Sequence, residues 1–540
     1  MNTFQLILKQ MRQRALSSWL TILSVLLGVA LATSVFVIQR QGEQIFSQQD
    51  YGFNGLISAR GSKLQSVLNV VYNIDQAPGT IPWQTYLDLL NDPDVEHVQW
   101  AVPFEVGDGV EGLRVMGVGG LMIDRPELSP IREELMALGR KLRDESKQQM
   151  SDVEAKKLAF GIHASLQVQS DRMREIDPHL ADALDSILND IENASTAKLP
   201  EVGERLFYIG QSVQSFEYGM GNHLELASGS PFETDRFEGI IGSNVEKIIG
   251  LKVGDEFQLE HGGISRAQGE KPDENADIHS EKWKVVGVLK PTGTPLDETI
   301  FVPLISTWCI GEHADFMEAA AEVSAVDEHE DHAHHDHAHD HDAPYELVDG
   351  RIKLNLHPED LRISGVFVRT QPSYLNFNNL QFNIEQRGRA MMLNPAQEMS
   401  LFFQRFLGPA AKVLSGVAIL TSVLAAVAIL VSIYNSVVAR LREIAILRAL
   451  GATRARVLTL ITLEAGFIGL VGGLVGVLMG YALVALGVSM QSDLKLPVSA
   501  WSFGAIEWIY LLCVVALCAL AGIVPAMKAY RTSVAEGLTA

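Results

Sequence analysis

The chain has 540 residues, enough for several domains, and carries a net charge of −22 at pH 7. Residues 40–412 hold 60 of its 65 acidic side chains but only 32 of its 43 basic ones. Such an acidic block would repel the phosphates of nucleic acid, so we expect no nucleic-acid partner. Cys513 and Cys518 fall in an apolar run, which leaves Cys309 alone in the acidic block, and we expect no disulfide there.

Four apolar runs are predicted to cross a membrane as helices. At about 1.5 Å per residue, each is long enough for the ~30 Å hydrocarbon core of a bilayer. The first run is longer than the core of a typical signal peptide and has no convincing cleavage site, so we interpret it as a retained anchor. The four runs are residues 15–39, 413–439, 457–490 and 508–527.

Basic residues cluster at three places beside these runs: Lys9 to Arg14, Arg440 to Arg456, and Lys528 with Arg531. Four spans bring all three clusters to one side of the membrane, and the positive-inside rule makes that side cytoplasmic. We therefore expect a multi-pass protein of the bacterial inner membrane, with both termini in the cytoplasm and the acidic block in the periplasm.

Within the acidic block, residues 41–405 are predicted to form an α+β domain that carries a helical insert. Apolar residues recur every three or four positions from Leu128 to Ile191, the spacing of a helical hairpin or a short coiled coil. We place this insert at residues 127–196; it either packs on the domain or reaches out to a periplasmic protein partner. Residues 205–310 return to a strand-like composition, and residues 380–405 look helical and lead into the second span.

A histidine-rich loop, residues 327–343, is the strongest local chemical signal. Imidazole suits Zn, Cu and Ni, and the carboxylates between the histidines raise the local cation concentration. The spacing is too repetitive to define one tetrahedral site, so we expect several weak, exchanging zinc sites. The alternative is an acidic loop with no role. The candidate ligands are His329, His332, His334, His335, His337, His339 and His341.

The third apolar run is rich in glycine. Gly472, Gly476 and Gly480 form two overlapping small-xxx-small steps, and Gly469 with Gly473 forms another. Such steps let another helix approach the backbone closely. The partner helix belongs either to the same chain or to a second copy of it.

The coupling segment, residues 440–451, lies between the second and third spans with the sequence RLREIAILRALG. Its apolar residues have helical spacing, its charges are mostly basic, and Gly451 is a natural helix stop. Apolar positions on a cytoplasmic helix need a partner.

The sequence holds no Walker A motif, no GxSxG elbow and no HExxH, so we expect no enzymatic activity and no intrinsic cofactor.

Several motifs together resemble the FtsX-like permeases of the MacB and LolC type, the type VII ABC transporters. They are REIAILRALGATRARV, LEAGFIGLVGG and VPAMKAYRTSVAEGL in the last third of the chain. The segments FEGIIGSNVEKIIGLKVGDEFQL and WKVVGVLKPTGTPLDETIFVPL are similar to the periplasmic core domain of that family. The resemblance covers the first span, much of residues 205–305, and everything from about residue 400. The helical insert and the histidine-rich loop depart from the family pattern.

The resemblance implies a fold of four transmembrane helices with a large extracytoplasmic α+β domain. Residues 1–40 would hold the first helix, and residues 406–540 the other three with the coupling helix. It also implies a dimer with a second permease copy, identical or different, in contact with membrane lipid. A separate cytoplasmic ATPase would bind ATP and Mg²⁺ and dock on Arg442, Glu443, Ile444, Ile446, Leu447, Arg448, Leu450 and Gly451.

Three functions remain open from the sequence. The first is a permease that turns ATP hydrolysis by its partner into periplasmic movement, to export or extract a lipoprotein, peptide, lipid, drug or metal-linked substrate. The second is a transmembrane regulator that activates a periplasmic enzyme and transports nothing. The third is a membrane-anchored metal-binding protein whose working part is the histidine-rich loop.

Overall fold

The computed structural model describes residues 15–47, 51–73, 77–91, 94–147, 151–193, 195–219, 221–261, 278–310, 344–439, 442, 444–446, 453–490 and 504–531. It forms two compact units. Met1–Gln48 with Ser400–Ala540 make up the first, which we call the membrane unit, and Gln49–Met399 make up the second, the α+β unit. The fold class is therefore the one predicted: long apolar helices together with a large mixed domain that has a helical region.

Besides short 3₁₀ turns, a π-helical turn at Phe403–Leu407 and the helical residues 442 and 444–446, the structure describes fourteen helices. In chain order they are α1 (Ala15–Ser47), α2 (Lys63–Tyr72), α3 (Gln84–Leu90), α4 (Leu128–Ser146), α5 (Asp152–Arg174), α6 (Pro178–Asn193), α7 (Leu199–Ser212), α8 (Val245–Ile249), α9 (Leu304–Thr307), α10 (Tyr374–Gln386), α11 (Pro395–Phe402), α12 (Gly408–Ala439), α13 (Arg454–Met490) and α14 (Ala505–Arg531).

The described strands, again in chain order, are β1 (Gly55–Ser58), β2 (Ile81–Pro82), β3 (Val98–Val110), β4 (Leu113–Val118), β5 (Leu226–Gly229), β6 (Glu238–Ile241), β7 (Glu256–Phe257), β8 (Glu260–His261), β9 (Trp283–Leu289), β10 (Ile300–Pro303), β11 (Tyr345–Val348), β12 (Arg351–Leu354), β13 (Arg362–Ile363), β14 (Gly365–Thr370) and β15 (Met391–Leu393).

The membrane unit is a bundle of α1, α12, α13 and α14. Within the described residues these four helices are long and apolar enough to cross a membrane. Helix α13 packs against α1 and α14, and α12 packs against the same two helices. Val29, Ile429, Ile461 and Val477 belong to the buried cluster that the four helices share. Apolar side chains also cover much of the outer surface of α12, as contact with lipid requires.

The α+β unit is built on one mixed sheet of eleven described strands. Its order is β15-β1-β14-β3-β4-β10-β6-β9-β5, with β7 paired to β9 and β8 paired to β3. The pairs β4–β10 and β6–β9 are parallel, and the other pairs are antiparallel. Two-stranded sheets, β11–β12 and β2–β13, complete the strands of the described part. The first and last strands, β1 and β15, are neighbours at one edge.

The helical region is longer than the predicted insert of residues 127–196. A fourth helix, α7, follows where the sequence predicts a return to strand composition from residue 205. Helix α7 packs closely on α4, because Gly203 and Gly210 of α7 and Gly139 of α4 remove the side chains that would keep the two backbones apart. Those same glycines weaken the helical pattern in the sequence.

The helical prediction for residues 380–405 is wrong in its middle. Helix α10 ends at Gln386, Gly388 follows in the left-handed region with φ of 75°, and Met391–Leu393 form strand β15. All three residues of β15 are buried, and they pair with β1. A short apolar run next to a turn suits a buried strand as well as a helix, and here the sheet edge decides.

Candidate functional site

One face of α13 lies directly against the backbone of α1. A Cβ atom added to Gly472 would lie 3.0 Å from the Ile22 carbonyl oxygen, and one added to Gly476 would lie 2.8 Å from that of Leu26. Gly480 continues the row, and its carbonyl oxygen accepts a hydrogen bond of 3.2 Å from the Ser34 hydroxyl. These glycines therefore seat α13 on α1 at a distance that any side chain would prevent.

The remaining pair of glycines faces the other neighbour of α13. A Cβ atom on Gly469 would lie 2.8 Å from the Cβ of Cys518 in α14, and one on Gly473 would collide with Leu511 of the same helix. Gly522 of α14 in turn faces Ala465 of α13. The structure thus places both glycine rows at contacts within one chain. We call the two rows together the glycine seam.

An ion pair joins α1 and α14. Arg40 Nη1 lies 2.5 Å from Glu507 Oε1, near the end of α1 and the start of α14. The Glu507 side chain is only 2% exposed, and that of Arg40 is 21% exposed. A buried carboxylate is stable only with a compensating partner, so this pair fixes how the two helix ends meet. Both residues border the apolar runs in the sequence, but no local pattern there pairs them.

The structure describes part of the coupling segment. Arg442 and Ile446 are helical and exposed, and they share a helix face because they are four residues apart. Ala445 is buried, and Ile444 packs against the buried cluster of the membrane unit. Of the predicted docking positions, Ile444 therefore faces its own bundle and Ile446 faces away from it. Glu443, Leu447, Arg448, Leu450 and Gly451 lie outside the described residues.

The segment that holds α12, the coupling segment, α13 and α14 also matches a protein-family model. Residues 415–534 match the model of the FtsX-like permease C-terminal domain. This segment is therefore an FtsX-like permease C-terminal domain. The assignment agrees with the expectation drawn from the sequence motifs.

A curated relative points the same way. The chain is 30% identical over 130 residues to the uncharacterized ABC transporter permease MJ1507 of Methanocaldococcus jannaschii. The match covers 24% of this chain and 32% of the relative, so the chain spans about a third of the length of the protein it matches. The chain is thus similar over this stretch to an ABC transporter permease, and its four long apolar helices are those expected of a membrane protein.

The predicted zinc ligands belong to a part of the chain that the structure does not describe. The histidine-rich loop, with its seven candidate ligands, lies outside the described residues. The zinc sites predicted there stay a prediction.

Proposed function

We propose that this FtsX-like permease is the membrane subunit of an ABC transporter whose ATPase is a separate polypeptide. It passes the ATPase cycle through the membrane unit to the α+β unit and works there on a lipoprotein, peptide, lipid, drug or metal-linked substrate. The observation that carries this proposal is the match of residues 415–534 to the FtsX-like permease domain. The orientation that we propose follows the positive-inside rule, with both termini and the coupling segment in the cytoplasm and the α+β unit in the periplasm.

The described part of the coupling segment supports a docking role. Ile446 is 45% exposed, and Arg442 lies one turn before it. An apolar side chain beside a cation suits a protein interface better than it suits water. Ile444 and Ala445 hold the other side of this short helix against the bundle, so a push on Ile446 would reach the membrane helices directly.

The glycine seam supports the transmission step. It holds α13 tightly against α1 on one side and α14 on the other. Closely packed helices move as a block because packed interiors are not easily deformed. A displacement of the coupling segment at the start of α13 would then be carried by three helices together. We propose that a second permease copy, the same chain or a related one, completes the assembly.

The test is to purify the permease with its ATPase and to compare two variants. Ile446→Glu places a charge in the proposed interface, whereas Leu347→Glu makes the same kind of change at an exposed site of the α+β unit. We expect Ile446→Glu to lose ATPase co-purification or substrate-stimulated hydrolysis at least tenfold, and Leu347→Glu to keep both. Normal coupling in Ile446→Glu would contradict the proposed docking site.

A second candidate function, the non-transporting regulator, is favoured by one surface of the helical region. Val153, Phe160 and Val168 of α5 are 77%, 78% and 55% exposed. Because they are spaced seven and eight residues apart, they form one line along the helix. Such a line suits contact with a periplasmic protein, which a regulator requires.

The structure changes how the regulator should be tested. Deleting residues 127–196 would remove α4 and strip α7 of the helix it packs on, so loss of binding would have a trivial cause. Phe160→Glu is a cleaner variant, with Phe382→Glu as its control, because Phe382 is also exposed on a helix of the same unit. If Phe160→Glu releases a periplasmic protein that normally co-purifies while ATPase coupling persists, the regulator function is supported. Unchanged co-purification in Phe160→Glu would contradict the regulator function.

The proposed zinc sites of the histidine-rich loop can be tested independently of transport. Replacing its seven histidines with asparagine should lower the number of zinc ions bound per chain in a calorimetric titration and leave assembly intact. Equal zinc binding in both proteins would contradict the prediction.

A further inference from the structure

Two strands of the α+β unit bring a carboxylate and two imidazoles to the same face of the sheet. Asp108 of β3 is the direct antiparallel partner of His261 at the end of β8. The His279 amide donates a hydrogen bond of 3.0 Å to the Leu259 carbonyl, so residue 279 lies opposite residue 259. Because side chains alternate along a strand, residues 259 and 261 share a face, and His279 shares it with them. The register alone therefore gathers Asp108, His261 and His279, which we call the metal triad.

The distances within the metal triad fit a shared cation. Asp108 Oδ1 lies 3.4 Å from His261 Nδ1 and 3.6 Å from His279 Nε2, and one ligand atom from each residue falls within 4.8 Å of the other two. Direct N–H···O hydrogen bonds are usually about 2.7–3.2 Å long. Ligands held at about 2.0–2.1 Å from a tetrahedral zinc ion are about 3.3–3.4 Å apart. The two carboxylate–imidazole separations are close to that edge length, and the two imidazole nitrogens lie within 4.8 Å of each other.

Two side chains of the metal triad are buried, and the third is exposed to solvent. The side chains of Asp108 and His279 are 5% and 4% exposed, whereas that of His261 is 56% exposed. Val110 and Leu259, near neighbours of the triad in β3 and before β8, belong to the apolar cluster beneath the sheet. A divalent cation bound there would further stabilise the buried Asp108 carboxylate beside this apolar cluster. The exposed imidazole leaves a path by which an ion can enter.

We propose that Asp108, His261 and His279 bind one divalent transition-metal ion of the zinc class. Two imidazoles and one carboxylate suit this class of ion and not Mg²⁺ or Ca²⁺, which prefer oxygen ligands. Three protein ligands leave the fourth position open to water or another ligand, unlike a closed structural zinc site with four protein ligands. The Gln258 side chain donates a hydrogen bond of 2.8 Å to the His279 carbonyl and so helps to hold that ligand in place.

The site would give the α+β unit a metal-dependent clamp, which is separate from the proposed ATPase coupling. His261 and His279 stand at the two ends of residues 262–277 in the sequence. One ion bound by the metal triad therefore ties His261 and His279 to Asp108 of β3. Release of the ion leaves this tie to the backbone hydrogen bonds of β8 and its neighbours.

The test is a calorimetric titration of the full chain in detergent with ZnCl₂. The parent protein carries asparagine at the seven histidines of the histidine-rich loop, so that only other sites are measured. We expect about one zinc ion per chain, at least a tenfold loss of affinity in His261→Ala, and unchanged affinity in His357→Ala. His357 is an exposed histidine of the same unit and lies outside the metal triad, so it controls for the loss of an imidazole.

Thermal unfolding of the same proteins provides the second measurement. Zinc should raise the midpoint of the parent and of His357→Ala but not that of His261→Ala, because an ion that binds only the folded state stabilises it. His261 is exposed, so its replacement should leave the fold intact without zinc, and an unchanged zinc-free midpoint checks this. A folded parent that binds no zinc, or equal affinity in His261→Ala, would overturn the proposal. Neither readout uses the ATPase, so this failure is distinct from a failure of the proposed function.

Discussion

Replacing Gly476 with alanine should weaken the membrane unit by an amount that the structure allows us to estimate. The added Cβ would lie 2.8 Å from the Leu26 carbonyl oxygen and 2.8 Å from the Val29 Cβ. Carbon atoms pack at about 3.5–4.0 Å, so α13 and α1 would have to separate by about 0.7 Å or more. Overpacking of this kind costs about 1–3 kcal/mol, and alanine recovers about 0.5–1 kcal/mol of helix propensity. We expect a net loss of about 1 kcal/mol, within a range of about 0–2.5 kcal/mol.

The matched control is Gly487→Ala in the same helix. No described atom lies within 4 Å of a Cβ at Gly487, so this change should leave the unfolding free energy unchanged or raise it by up to about 1 kcal/mol. The assay is equilibrium unfolding of the full chain in mixed micelles, followed by loss of helicity. Gly476→Ala should lower the midpoint, whereas Gly487→Ala should leave it unchanged or raise it. If Gly476→Ala is as stable as Gly487→Ala, the glycine seam does not hold α13 on α1.

Two further predictions concern helix contacts. Arg40→Leu should lower the unfolding free energy by about 3 kcal/mol, because it leaves the buried Glu507 carboxylate without its cation, and the double variant with Glu507→Leu should recover part of that loss in the same micelle assay. Gly139→Ala should reduce hydrogen-exchange protection of α4 and α7, since its Cβ would lie 2.5 Å from the Phe207 nitrogen, whereas Gly161→Ala, with no described neighbour within 4 Å, should not. A double variant no more stable than Arg40→Leu, or equal protection in both glycine variants, would contradict these expectations.

The membrane helices follow from the sequence because a long run without charge has few other stable structures. The uncharged residues 15–39 lie within α1, and the uncharged run 413–439 ends where α12 ends. The resemblance to the FtsX-like permeases also follows from the sequence, since three of the five motifs lie in or overlap the segment that the family model matches. In both cases the signal is local and needs no knowledge of the fold.

The features that the sequence does not predict depend on tertiary contacts. Helix α7 is obscured by Gly203 and Gly210, whose low helix propensity is the cost of their close contact with α4. Strand β15 is a three-residue run whose type is decided by its pairing with β1. The metal triad is harder still, because Asp108 is far from both histidines in the chain, and only the pairing of β3 with β8 and of residue 279 with residue 259 brings them together.

The neighbouring positions of β1 and β15 have a mechanical consequence. Leu56 lies opposite Leu393 and Ser58 opposite Met391, so the chain enters β1 and leaves β15 at the same end of an antiparallel pair. Tension applied where the chain enters β1 and leaves β15 would break the interstrand hydrogen bonds one after another from that end. It would not load all of them at once, as a shearing force does. The α+β unit would then begin to unfold at the β1–β15 pair, under a force too small to separate its central strands.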